Sequence, residues 1–106
     1  MTVEDFKEIA TKYGIECKSG DRSTYYYMMP NSNWYMVNFY LNNHLIIRKY
    51  FKYDERIKRI IPCDYFDKEP HSIQPKDFEK YVQEMLQNYK EACIKHKKEE
   101  FEKDFK

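Results

Sequence analysis

A chain of 106 residues carrying 19 lysines and arginines against 18 aspartates and glutamates is large enough for one core without disulfides. Its near-balanced charge excludes an overall field that would hold it on DNA or a membrane, so any electrostatic partner must be met by a local patch. No apolar run approaches the roughly 20 residues needed to cross a bilayer, and the first residues include acids rather than an apolar leader, which predicts a single cytoplasmic domain spanning residues 1–106.

In chain order, the first expected element is a short helix, because Val3, Phe6, Ile9, Ala10 and Tyr13 follow the three-and-four spacing of one helical face. Thr2 is placed to cap its free N–H groups with Asp5 as capping-box partner, and Gly14 to end it in the left-handed conformation. Ile15 then folds back onto the last turn.

Over residues 17–61 the period changes to two, and β-branched and aromatic runs alternate with turn chemistry. This predicts an antiparallel meander of three or four strands over residues 23–29, 34–41, 44–53 and 56–61. The expected turns are Pro30 with residues 31–33, then Asn42 and Asn43, then Asp54 and Glu55. A two-residue turn at Asn42 and Asn43 puts Tyr35, Val37, Phe39 and Leu41 on one face with His44, Ile46, Arg48 and Tyr50. The other face then holds Trp34, Met36, Asn38 and Tyr40 with Leu45, Ile47, Lys49 and Phe51. Neither face is plainly polar, so the sheet is either covered on both sides or leaves an aromatic face for a partner.

Residues 62–75 contain Pro62, Pro70 and Pro75 with the acids Asp64, Asp67 and Glu69, and are expected to form a surface connector. A long helix follows. Pro75 suits its first position, Asp77 and Glu79 suit the positive end of its dipole, and Phe78, Tyr81, Val82, Met85, Leu86, Tyr89, Cys93 and His96 make one stripe to pack on the sheet. The predicted fold is therefore α+β: a short N-terminal helix, a meander sheet and a long C-terminal helix across one sheet face. Phe101 and Phe105 fall on the opposite side of that helix, so residues 97–106 form either a frayed tail or a second apolar face for a partner or a dimer.

Catalytic chemistry finds little support. Two glycines, Gly14 and Gly20, cannot assemble a phosphate loop or a dinucleotide fingerprint. His44, His71 and His96 stand on different expected elements without a metal-binding spacing, and Cys17, Cys63 and Cys93 lie outside any C-x-x-C pattern and read as reduced thiols. Cys93 and His96 share a helical face, but that face is the expected core, where a thiol acts as a small hydrophobe. Asp64, Asp67 and Glu69 lack the glycine and terminal acid of a calcium loop. The expectation is a protein that is not an enzyme and uses no metal or cofactor.

Two surfaces carry the expected binding. Tyr25, Tyr27, Trp34 and Met36, with Phe101 and Phe105, have the composition enriched in protein interfaces. They support a non-catalytic protein, monomeric or homodimeric, that docks on another protein or a protein–nucleic acid complex. The abundance of Lys, Asn, Tyr and Ile matches accessory proteins of AT-rich phages or mobile elements, including anti-CRISPR-like inhibitors that occlude a host nucleic-acid-processing complex. The alternative surface is Arg48, Lys49, Tyr50, Lys52, Arg56, Lys58 and Arg59, where cations alternate with rings as in sheets that bind single-stranded nucleic acid.

Overall fold

The fold is taken from a computed structural model, which describes residues 1–20, 24–30, 34–40, 44–70 and 72–104, the last two by backbone alone. The expected turns at 31–33 and at Asn42 and Asn43, as well as His71 and Phe105, lie outside these residues. Helix α1 spans Val3–Lys12 and begins with the full capping box, Thr2 accepting from the Asp5 amide while the Asp5 carboxylate accepts from the Thr2 amide. Gly14 has φ +66°, so the chain leaves the helix through the conformation that glycine adopts without steric cost, and the Ile15 amide closes back on the Ala10 carbonyl.

Five strands follow: β1 Cys17–Ser19, β2 Thr24–Met28, β3 Tyr35–Tyr40, β4 His44–Asp54 and β5 Arg59–Lys68. They form one antiparallel meander in chain order. Helix α2, Pro75–Asp104, closes the fold. The sheet thus has five strands rather than three or four. The additional strand is β1, whose three residues are too few to establish a period.

Both helices pack on the same face of the sheet. The Phe6 ring stacks on Tyr27 with centroids 4.0 Å apart, meets Phe39 edge-on at 5.0 Å and lies 5.7 Å from Phe78 of α2. Around them Val37, Leu45, Ile47, Val82 and Met85 are fully enclosed. The expected α2 stripe is seen along its length: Tyr89 meets Phe51 edge-on at 5.4 Å, and the His96 ring stacks on Tyr53 at 3.6 Å.

Three expectations are corrected. Tyr40 pairs with His44, one residue away from the register of a two-residue turn, and this slip moves Leu45 and Ile47 to the face of Val37 and Phe39. The expected face pairing would have divided those apolar residues between the two sides; the observed register buries all four together. The Asp54–Glu55 turn is instead a four-residue connection, in which the Asp54 carboxylate accepts from the Arg56 amide at 2.9 Å and Lys58 takes φ 57°. Finally, residues 62–68 are strand, not connector. Pro62 pairs with Phe51 on the outermost strand, where a residue without an N–H breaks no inner ladder.

The helix-free face of the sheet as candidate functional site

Strand alternation sorts the side chains of β4, with an irregularity at Tyr50. Lys49 pairs with Glu84 of α2, and Phe51 and Tyr53 meet Tyr89 and His96, so these odd-numbered positions face the helices. Ile46, Arg48 and Lys52 therefore face the other way, while Tyr50, at a shift in the ladder register, keeps its ring 6.5 Å from Phe66 and 5.9 Å from Lys49 Nζ. No described helix or strand lies over that side. One ladder row runs across the whole sheet there, from Lys18 through Tyr26, Asn38 and Ile46 to Asp67.

Rings are prominent on this face. Tyr26 and Tyr35 stack with centroids 4.4 Å apart and planes within 16°. The Tyr26 ring lies so close over Gly20 that a Cβ there would stand 2.6 Å from it, which gives a physical reason for a glycine at the end of β1. Tyr65 is 68% exposed.

At the centre Arg48 donates to the Asn38 side-chain oxygen, and the Asn38 amide donates to the Tyr40 hydroxyl at 3.4 Å. Asn38 is buried and Arg48 is half-buried. Burial lowers the pKa of the Arg48 guanidinium from the ordinary arginine value, and as an arginine it remains a charged donor. With one edge held by Asn38, the guanidinium is oriented before any partner arrives, which reduces the ordering cost of a contact.

Beside Arg48 lies a shallow cleft of about 250 Å³ lined by His44, Ile46, Arg48, Tyr65 and Asp67. His44 Nδ1 lies 2.9 Å from the Asp67 carboxylate and forms its rim.

The two expected surfaces fare differently. Tyr27 and Met36, expected as partner contacts, are fully enclosed and unavailable to a partner, because the observed packing assigns Tyr27 to the helix side and Met36 to the core. The Tyr27 hydroxyl donates to the Phe6 carbonyl. Tyr25 also faces the helix side, half-buried, with Lys7 Nζ 5.2 Å from its ring centroid. Trp34 is 42% and Phe101 64% exposed, at separate places on β3's approach and on α2.

Of the alternative set, Arg48 and Lys52 share the helix-free face, Arg59 joins them opposite Asp54, and the Tyr50 ring instead lies beside Phe66 and Lys49. Lys49 does not, since Glu84 holds it on the helix side and raises its pKa through their hydrogen bond. Arg56 and Lys58 project from the turn, where Arg56 pairs with Asp54 at 3.5 Å. The acids Asp54 and Asp67 are thus each engaged by a local partner.

Ile46, Tyr65 and Asp67 are cleft residues that the sequence does not single out for binding, the last two lying where it predicts a connector. The strand signal for the two on β5 is the aromatic pair Tyr65 and Phe66 between charged residues, which the nearby prolines mask. Among the described residues no group of three or more His, Cys, Asp or Glu side chains could hold a metal, and no helix is long and apolar enough to cross a membrane. Cys63 is exposed, while Cys17 and Cys93 are half-buried; burial pushes the Cys17 thiol up, which keeps it protonated. No family model, curated protein or solved structure matches this chain.

Proposed function

We propose that the chain is a non-catalytic binding protein whose helix-free sheet face takes single-stranded nucleic acid. One observation carries the reading: Tyr26, Tyr35 and Tyr65 share a face with Arg48, Lys52 and Arg59. Exposed rings can stack on any base, at roughly 1–3 kcal/mol for each, and flanking cations neutralise phosphates. Single strands suit this surface because their unpaired bases present faces on which exposed rings can stack.

The test is fluorescence anisotropy with labelled single-stranded and duplex oligonucleotides of about 15 nucleotides. Single strands are expected to bind more tightly than duplex, with affinity falling linearly in log–log salt titrations. Replacing Lys52 and Arg59 by serine should lower the salt slope by about 0.7 for each lost phosphate contact. Binding that is equal for duplex and single strand, or indifferent to these substitutions, defeats the proposal.

A second reading, docking on a protein and occluding it as an inhibitor of a host complex would, draws on Trp34 and Tyr35, which are 42% and 39% exposed at one end of the sheet. Under that reading Trp34→Ala weakens binding to the partner by an interface anchor's share, about 2 kcal/mol or more. It leaves the salt slope of oligonucleotide binding unaltered.

A further inference from the structure

Resting on the nucleic-acid reading, we infer that the cleft between β4 and β5 is a base-reading subsite selective for guanine. Its volume of about 250 Å³ is below the roughly 300–1,000 Å³ typical of whole-ligand pockets, which suits one base rather than a complete small molecule. Tyr65 supplies an exposed ring to stack on, and Ile46 an apolar floor.

The polar groups match one base in particular. Guanine presents O6 and N7 as adjacent acceptors, the pair that an arginine fork meets bidentately. Its other edge presents N1–H and the N2 amine, two donors in a row. Asp67 stands opposite Ile46 in the ladder, and Arg48 lies two residues along β4 on the same side, a separation of about 7 Å. The cleft therefore holds a donor fork at one end and an acceptor at the other. Adenine, with a donor at N6 beside N7, and uracil, with no N7, would each leave the fork incompletely paired.

Neither group is exhausted by its present contact. Arg48 has five N–H donors and commits one nitrogen to Asn38, while an ionised carboxylate offers about four acceptor sites and Asp67 uses its oxygens on a single histidine nitrogen. Arg48 also differs from Lys52 and Arg59 in its setting: half-buried and sharing the cleft with Tyr65, it lies where a stacked base would be, whereas the exposed cations lie farther along the hairpin, where a backbone would pass.

Anisotropy with single-stranded uridine tracts carrying guanine, adenine, inosine or 7-deazaguanine at matched positions tests this assignment. Guanine should bind about tenfold more tightly than adenine or uridine, the discrimination that a bidentate pair supplies. Removing N7 should erase most of that preference in the natural protein and change nothing further in Arg48→Gln. Removing the N2 amine should cost affinity in the natural protein but not in Asp67→Asn, completing two interaction cycles between ligand and protein. Tyr65→Ala, at an exposed position whose loss leaves the core intact, should weaken every base severalfold; circular dichroism confirms that each variant is folded.

Salt-dependent binding with equal affinity for all bases would overturn the guanine assignment and leave the nucleic-acid reading standing. A guanine preference that persists in both Arg48→Gln and Asp67→Asn would likewise overturn it. If no oligonucleotide binds, both proposals fall, and cross-linking from position 65 to a protein would then favour the docking reading.

Discussion

Tyr27 joins strand, helix and core through a single side chain. Its ring stacks on Phe6 and lies 5.8 Å from Phe78, while its hydroxyl donates to the Phe6 carbonyl and so fixes α1 against β2. Burial pushes the hydroxyl's pKa well above the ordinary tyrosine value of about 10. A group whose pKa is raised on folding supports the fold below its unfolded value and withdraws that support as pH rises beyond it. Urea denaturation should therefore find Tyr27→Phe less stable by about 1 kcal/mol near neutral pH, the net worth of one hydrogen bond. Above about pH 10 the natural protein should lose stability more steeply than the variant. Parallel loss in both proteins would show that the hydroxyl is not the group that titrates.

At the scale of elements, α1 is fastened to the start of α2 by Glu79. Its carboxylate accepts from the Tyr13 hydroxyl at 2.7 Å and pairs with Lys12, and hydrogen bonds from both groups hold its pKa below the usual glutamate range. A carboxylate depressed on folding contributes stability above its unfolded value, about 4.3, and loses it as pH falls toward the folded one. Acid titration of thermal stability should thus show a fall below about pH 5 that is shallower in Glu79→Gln, and the same fall in both would remove the clasp from the account. Such helical contacts were within reach of the sequence because their determinants are local: the Thr2 and Asp5 box, Gly14, and the stripe from Phe78 to His96 each occupy a few helical turns. The sheet was less accessible. One residue of turn length between β3 and β4 decides which side chains Leu45 and Ile47 accompany, and propensity does not fix that length. On β5, Pro62 marks a break by propensity that an edge position tolerates, so sequence alone places Tyr65 and Asp67 in a connector and hides the cleft they line. The sequence marks Arg48 as a binding cation, but its bracing by Asn38 follows only from the observed register.

The whole molecule measures 52 × 26 × 22 Å, and its core occupies only part of the long dimension. Fully buried residues of β4 end at Ile47 and those of α2 at Met85. Beyond them, the outer hairpin and the later turns of α2 are joined by half-buried pairs, Phe51 with Tyr89 and Tyr53 with His96. Local stability follows buried apolar contact, so this arm should open without unfolding the body. Hydrogen exchange is expected to find the amides of residues 52–61 less protected than those of residues 36–40 and 45–47. Tyr53→Ala should accelerate the first group by about tenfold, the effect of some 1.4 kcal/mol of lost local stability, and leave the second nearly unchanged. Equal acceleration of both groups would mean that arm and body unfold as one. The division matters for binding because Arg48, Tyr65 and Asp67 stand near the body, whereas Lys52 and Arg59 ride on the arm. Loosening the arm in Tyr53→Ala should then weaken the salt-dependent attraction to single strands while the discrimination between bases, set at the cleft, persists.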